Sequence, residues 1–158
     1  MRMTTLCYLE QNGCYLMLHR TKKENDINKD KWLGIGGKFE EAESPEDCMR
    51  REVFEETGLT PTAWSYRGII TFISDEAPCE YMHLFTVTAW EGTEKECDEG
   101  ELAWIRKDDL LKLPMWEGDR LFLERIACPS PFFSMKLQYR GETLEKAFLN
   151  GRPLSGKE

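Results

Sequence analysis

Residues 44 to 58 spell out a helix with both ends marked and one face loaded with acid. Ser44 suits an N-cap, Pro45 suits the first turn, and Asp47 completes a capping-box pattern. Glu46 and Asp47 also favour the positive start of the helix dipole. Gly58 stands just past Thr57, where a left-handed C-cap is wanted. Met49 and Val53, four apart, are expected to face the core. Glu52, Glu55 and Glu56 fall at i, i+3 and i+4, so their side chains are expected to converge. Like charges at that spacing cost roughly 0.2–0.5 kcal/mol per pair. The negative end of the helix adds about 0.3–1 kcal/mol per anion. A solvated helix face normally alternates its charge signs instead of bunching one sign at its unfavourable end. The pattern predicts a bound cation, and ligands that are all hard oxygens point to a divalent one such as Mg2+.

The rest of the chain reads mostly as strands. Residues 3–10 and 14–20 are apolar runs joined by Asn12-Gly13, which predicts a hairpin with Gln11 opposite Cys14 and Cys7 opposite Leu18. Residues 22–31 read as a polar loop, followed by an irregular extended segment, 32–38, rich in glycine. Strands are expected at 62–74 and 79–90 around an acidic, proline-containing turn, and at 102–105 after an acidic loop. A short helical turn at 109–113 is stopped by Pro114, and a second helix is expected over 118–127. A closing hairpin covers 132–139 and 143–149. Many strands with two separated helices imply one α/β (α+β) domain over residues 1–158, with a mixed β-sheet sandwiched between helices.

At 158 residues and 41% apolar, the chain can bury a proper core. A net charge of −8 argues against a surface for a nucleic acid polymer. It leaves room for a small phosphorylated substrate, provided a metal neutralises the phosphates. No run of about 20 apolar residues is present, so no membrane span is expected. The N-terminus has no apolar signal-peptide core. Six cysteines lack any CxxC pairing, and Cys7 and Cys14 are not expected to face each other across the hairpin. Free thiols in a reducing cytoplasm are expected, with a monomer favoured over a dimer. His19 and His83 sit in strand patterns and are expected to pack or face solvent.

Gly37, five residues, Glu43, seven residues, then Arg51-Glu52-Val53-x-Glu55-Glu56-x-Gly58-Leu59 resembles the Nudix box, GX5EX7REUXEEXGU, where U is a bulky aliphatic residue. All nine restricted positions match over 23 residues. The resemblance implies a hydrolase of nucleoside diphosphates linked to another group. It implies that Glu52 and Glu56 bind Mg2+ (with Mn2+ as a substitute), that Glu55 supports or shares a metal, and that the Gly37 carbonyl contributes a ligand. Arg51 and Glu43 resemble the family's brace between loop and helix. Glu99, in the loop before a late strand, resembles the candidate general base and further metal ligand, with Glu101 as runner-up.

The likeness extends to MutT-type oxidised-purine nucleoside triphosphatases, through Lys31 to Lys38, Met115 to Asp119 and Pro131-Phe132-Phe133. It implies a substrate side made of Leu33, Lys38, Phe72, Trp116, Gly118 and Asp119, with Trp116 and Asp119 on the base. Mammalian members have asparagine at the position of Leu33 and aspartate at that of Gly118. The implied reaction cleaves a nucleoside triphosphate such as 8-oxo-dGTP to a monophosphate and pyrophosphate. The alternatives are a Nudix pyrophosphatase acting on broad (d)NTPs or a pterin triphosphate, and a non-catalytic Nudix-fold regulatory domain. Arg20, Lys22 and Lys23 are read as a solvated loop or as phosphate contacts beside a possible lid at 24–30.

Overall fold

A computed structural model describes residues 1–154; the last four positions of the expected 1–158 domain lie outside the described residues. The chain forms β1 (Arg2–Gln11), β2 (Cys14–Arg20), β3 (Trp32–Leu33), α1 (Pro45–Thr57), β4 (Leu59–Ile73), β5 (Glu80–Gly92) and β6 (Gly100–Arg106). A 3-10 turn (Lys107–Lys112), α2 (Glu117–Ile126), β7 (Phe133–Arg140), β8 (Thr143–Leu149) and β9 (Arg152–Pro153) complete it.

The sheet is mixed. Strands β1 and β5 run parallel from Arg2↔Glu80 to Leu9↔Val87, and β4 runs parallel to β7. The remaining neighbours are antiparallel, in the order β3-β2-β1-β5-β4-β7-β8-β9, with β6 paired to β2. Successive residues of a strand face opposite sides, so β1 and β2 each feed two cores. Cys7, Leu9, Leu16 and Leu18 pack with Met49 and Val53 of α1. Leu6, Tyr8, Tyr15 and Met17 pack with Phe122, Leu123 and Ile126 of α2 on the other side. The sheet therefore lies between the two helices, as the order of elements implied.

Local signals map closely onto the elements. Ser44 Oγ accepts the Asp47 N–H at 3.0 Å while Asp47 Oδ2 accepts the Ser44 N–H at 3.0 Å. Gly58 is left-handed at φ 80 and its N–H closes on the Phe54 carbonyl at 2.8 Å. The Asn12-Gly13 turn has φ of 51 and 74, both positive as a tight hairpin of this kind needs. The hairpin itself is short. Only Glu10↔Tyr15 and Gln11↔Cys14 pair before β1 and β2 part. Cys7 bridges Ile35 instead of Leu18, and Leu18 pairs with Leu33 and Leu102. The parting lets residues 34–38 lie beside β1. The six cysteines are free thiols. His19 stacks on Trp32 with ring centroids 4.5 Å apart, and His83 is buried against Tyr66 and Phe39. Among the described residues, no helix is long and apolar enough to cross a membrane.

Candidate active site

The glycine-rich stretch is held as strand-like backbone. Ile35 and Cys7 exchange N–H···O bonds of 2.6 and 2.8 Å, and the Thr5 N–H donates to the Gly37 carbonyl at 2.9 Å. A side chain at Gly36 would drive its Cβ to 1.8 Å from the Thr5 carbonyl oxygen. One at Gly37 would lie 2.5 Å from the Glu52 carboxyl. The two glycines thus let the loop press on β1 and on α1 together. The Gly37 carbonyl, implied as a metal ligand, is turned to β1 and also accepts the Cys48 thiol at 3.7 Å.

Arg51 joins loop to helix. Its Nε donates to Glu43 Oε2 at 2.7 Å and its Nη2 to Glu43 Oε1 at 2.8 Å, a two-pronged pair. Nη2 also reaches the Lys38 carbonyl at 2.9 Å. Nη1 donates to Glu52 at 2.8 Å and to Glu55 at 3.2 Å. The bonds from Arg51 hold the Glu43 carboxyl below its usual range. The same guanidinium offsets the like-charge cost at the helix end, which the sequence reading left for a cation alone. Lysine cannot make the fork. Arg51→Lys is therefore expected to lower kcat/KM by about 10–100-fold, as loss of a ligand-orienting partner does. Steady-state assays and a thermal melt measure it, and near-wild-type turnover would remove Arg51 from any such role.

The three helix glutamates do not gather. Glu55 turns outward to Arg51 and its side chain is 54% exposed. Glu52 is half-buried against Gly37, and burial outweighs Arg51 to push its carboxyl up. Glu56 is buried, and its Oε2 accepts the Gly36 N–H at 3.1 Å. Its carboxyl is also coupled electrostatically to that of Glu99, in the loop before β6. Burial first, then Glu99, raises Glu56; burial also acts to raise Glu99, but Glu56, Lys23 and Arg20 outweigh it and lower Glu99. Lys23 Nζ lies 2.9 Å from Glu99 and Arg20 Nη1 lies 3.4 Å from it.

Among the described residues, no three candidate ligands stand close enough in this arrangement to hold a metal ion. Glu52, Glu56 and Glu99 are coupled electrostatically, while Glu55, expected to converge with the other two helix glutamates, turns to Arg51. The donor chemistry still fits a hard divalent cation. Glu52, Glu56 and Glu99 are all carboxylates, and like charges coupled this closely, with Glu56 buried, favour a proton or a cation between them.

A cleft of about 640 Å³ runs from these carboxylates to an aromatic wall. Glu52, Glu99, Gly37, Arg20, Lys23 and Lys38 line one end. Leu33, Phe72, Trp116 and Asp119 line the other. Trp116 is only 4% exposed, with edge contacts to Phe72 and Tyr139 at 5.5 and 4.9 Å and Lys31 Nζ 4.7 Å over its ring. Its Nε1–H donates to Asn28 Oδ1 at 2.7 Å. Asp119 is 6% exposed, and burial pushes its carboxyl up to about 7, against the pull of Arg120 and Lys31.

Gly118 is brought close to this wall but not into it. Its N–H donates to the Tyr139 hydroxyl at 2.7 Å, and an added Cβ would meet Leu137 and Tyr139 at 2.6 Å. Glu101 sits on β6 opposite His19, exposed and outside the cleft. Sequence reading missed Leu6, Met82, Asp26 and Asn28, which also line the cleft. Leu6 and Met82 could have been found by alternation along β1 and β5. Nothing local marks Asp26 or Asn28, because a loop's docking is set by distant residues.

Known proteins resemble this chain in sequence and in fold. A zebrafish (Danio rerio) protein named oxidized purine nucleoside triphosphate hydrolase is 32% identical over 122 residues, 77% of this chain and 76% of its own length. A mouse (Mus musculus) diphosphoinositol polyphosphate phosphohydrolase 3-alpha is 27% identical over 159 residues, 98% of this chain and 82% of its own. The crystal structure of a mutator MutT protein from Bacillus halodurans superposes with a TM-score of 0.84 at 28% identity, covering 97% of this chain and all of that one. The NUDIX domain pattern matches residues 2–126, and the chain therefore belongs to the Nudix family, as a hydrolase of phosphoric anhydrides.

Proposed function

We propose that this protein is a Mg2+-dependent pyrophosphatase of nucleoside triphosphates, with an oxidised purine such as 8-oxo-dGTP as its favoured substrate, serving to clean the nucleotide pool. The observation that carries the reading is the two-ended cleft. Carboxylates crowd one end, and an indole with a buried, unbonded carboxyl beside it forms the other. A flat aromatic wall suits a base, and Asp119 can accept a ring N–H, which oxidation adds at purine N7.

Glu52, Glu56 and Glu99 would hold the cation, with Glu55 available beside them. When bound, Mg2+ neutralises phosphate charge and lowers the pKa of a bound water. Glu99 takes the proton of the attacking water as the new P–O bond forms and the anhydride P–O bond breaks. The nucleoside monophosphate and pyrophosphate leave with the two halves of that water. Arg20 and Lys23 keep Glu99 ionised for this work and face the phosphate end. Leu33 and Phe72 exclude water from the base. The absence of disulfides among six cysteines suits a cytoplasmic setting.

A second reading comes from the diphosphoinositol relative, which matches across 98% of this chain. A polyphosphorylated ring needs many uncommitted cations. Here four basic side chains line the cleft against six acidic ones, and Arg2, Arg20 and Lys23 are already paired with carboxylates. That balance favours a base-bearing substrate carrying its own metal. A panel of triphosphates and a diphosphoinositol polyphosphate, ranked by kcat/KM with products resolved, tests the proposal. We expect 8-oxo-dGTP to exceed dGTP by about tenfold or more. A flat ranking among triphosphates would point to a broad (d)NTP enzyme, and a lead for the inositol compound would reverse the reading.

A further inference from the structure

The bond between Trp116 and Asn28 has a chemical consequence for the rest of that amide. An indole N–H only donates, so the Asn28 oxygen must face it, and the amide cannot flip. Its NH2 end is thereby set as well. That end makes no hydrogen bond among the described residues. The backbone beside it is tied down: the Asn28 N–H donates to Asp26 Oδ1 at 3.0 Å, and Asp26 Oδ2 accepts Arg20 Nε at 2.9 Å. Asn28 lines the same end of the cleft as Asp119, whose carboxyl also has no hydrogen bond among the described residues. Leu33, beside them, offers only carbon.

A fixed donor and a free acceptor therefore flank one indole. A 6-carbonyl purine matches this pair. It places O6 next to N1–H on one edge, and next to N7–H on the other once the ring is oxidised at C8. A 6-amino purine puts donors against the Asn28 donors.

We propose that Asn28 is a specificity-determining residue, donating from Nδ2 to the C6 carbonyl of the bound purine while Asp119 accepts the neighbouring ring N–H. The proposal deepens the purine triphosphate reading of the same cleft and rests on it. A residue from the 22–31 loop then reads the base while Lys23 of the same loop, with Arg20 at the end of β2, steadies Glu99.

The test is kcat/KM for dGTP and dATP in wild type, Asn28→Asp and Asn28→Leu. Asn28→Asp keeps an oxygen for the Trp116 N–H but replaces the donor by an acceptor. Its dGTP-to-dATP ratio is expected to fall by about tenfold, as loss of one good base-edge pair does. The change should lie in KM, with kcat for dGTP nearly kept, which a merely structural role would not produce. Asn28→Leu, which cannot donate, should lower the ratio too and serves if the aspartate variant is unstable. An unchanged ratio in both variants overturns the assignment. The wild-type preference for 8-oxo-dGTP over dGTP is scored separately, so a failure of the oxidised-purine reading is distinguishable from a failure of Asn28.

Discussion

Glu56→Gln is expected to abolish turnover while the protein melts at or above the wild-type temperature. The amide oxygen of glutamine can still accept the Gly36 N–H that now reaches Glu56 Oε2 at 3.1 Å. Its NH2 can donate to Glu99, which removes the repulsion between the two carboxyls. The variant also removes a buried ionisable group, which costs free energy whenever it is charged. What it loses is an anionic oxygen ligand. Charge stabilisation by a catalytic metal amounts to several kcal/mol, so a loss of roughly 10³-fold or more in kcat is expected. Steady-state assays at saturating Mg2+, with a thermal melt of the same samples, measure both halves. Activity near wild type would remove Glu56 from the metal site. A large drop in melting temperature would mean that the Glu56 and Glu99 pair serves the fold instead.

Asp119→Asn is expected to trade selectivity for stability. The Asp119 carboxyl is pushed by burial from an ordinary 3.8 to about 7. The folded state thus holds its proton more tightly than the unfolded chain does. Stability from this group is complete below pH about 4, falls as pH rises through 7, and stays lowered above that. The full span corresponds to roughly 4 kcal/mol at most, at about 1.4 kcal/mol per pH unit. Asparagine avoids that cost, so its gain in melting temperature should be largest above pH 7 and vanish towards pH 4. The same change removes the acceptor for a ring N–H, and kcat/KM for 8-oxo-dGTP should fall by about 10–100-fold. In the wild type, KM for that substrate should drop as pH rises through about 7, when the carboxylate forms, and the variant should lack this inflection. Equal melting temperatures at pH 8, or the same pH profile in both proteins, would show that Asp119 is not a strained reader of the base.

Much of the architecture could be read before any coordinates because its signals are local. The Ser44–Asp47 capping box, the left-handed Gly58 and the positive φ at Asn12 and Gly13 depend on residues within a few positions of one another. The box spacing likewise names Arg51 and Glu43, eight residues apart, and they meet in a two-pronged pair. Where the structure departs from the local pattern, the deciding contact is distant. Cys7 left Leu18 because β5 and Ile35 took its two edges. Gly118 was placed near the substrate by its neighbours in sequence, but Leu137 and Tyr139 from β7 occupy the space before it.

The sequence alone determined the capped helix, its acidic end, the Gly37 approach and the membership of this chain in a family of phosphoric anhydride hydrolases. Each is set by spacing along one element, which the 3.6-residue period or a single backbone angle converts directly into position. Only the tertiary structure decided that Glu55 turns to Arg51 while Glu99 joins Glu56, and that Asn28 reaches Trp116 from 88 residues away. Those choices belong to burial and to hydrogen-bond partners brought together by the sheet. A carboxylate's direction depends on which cation or proton it finds there, and no local pattern records that.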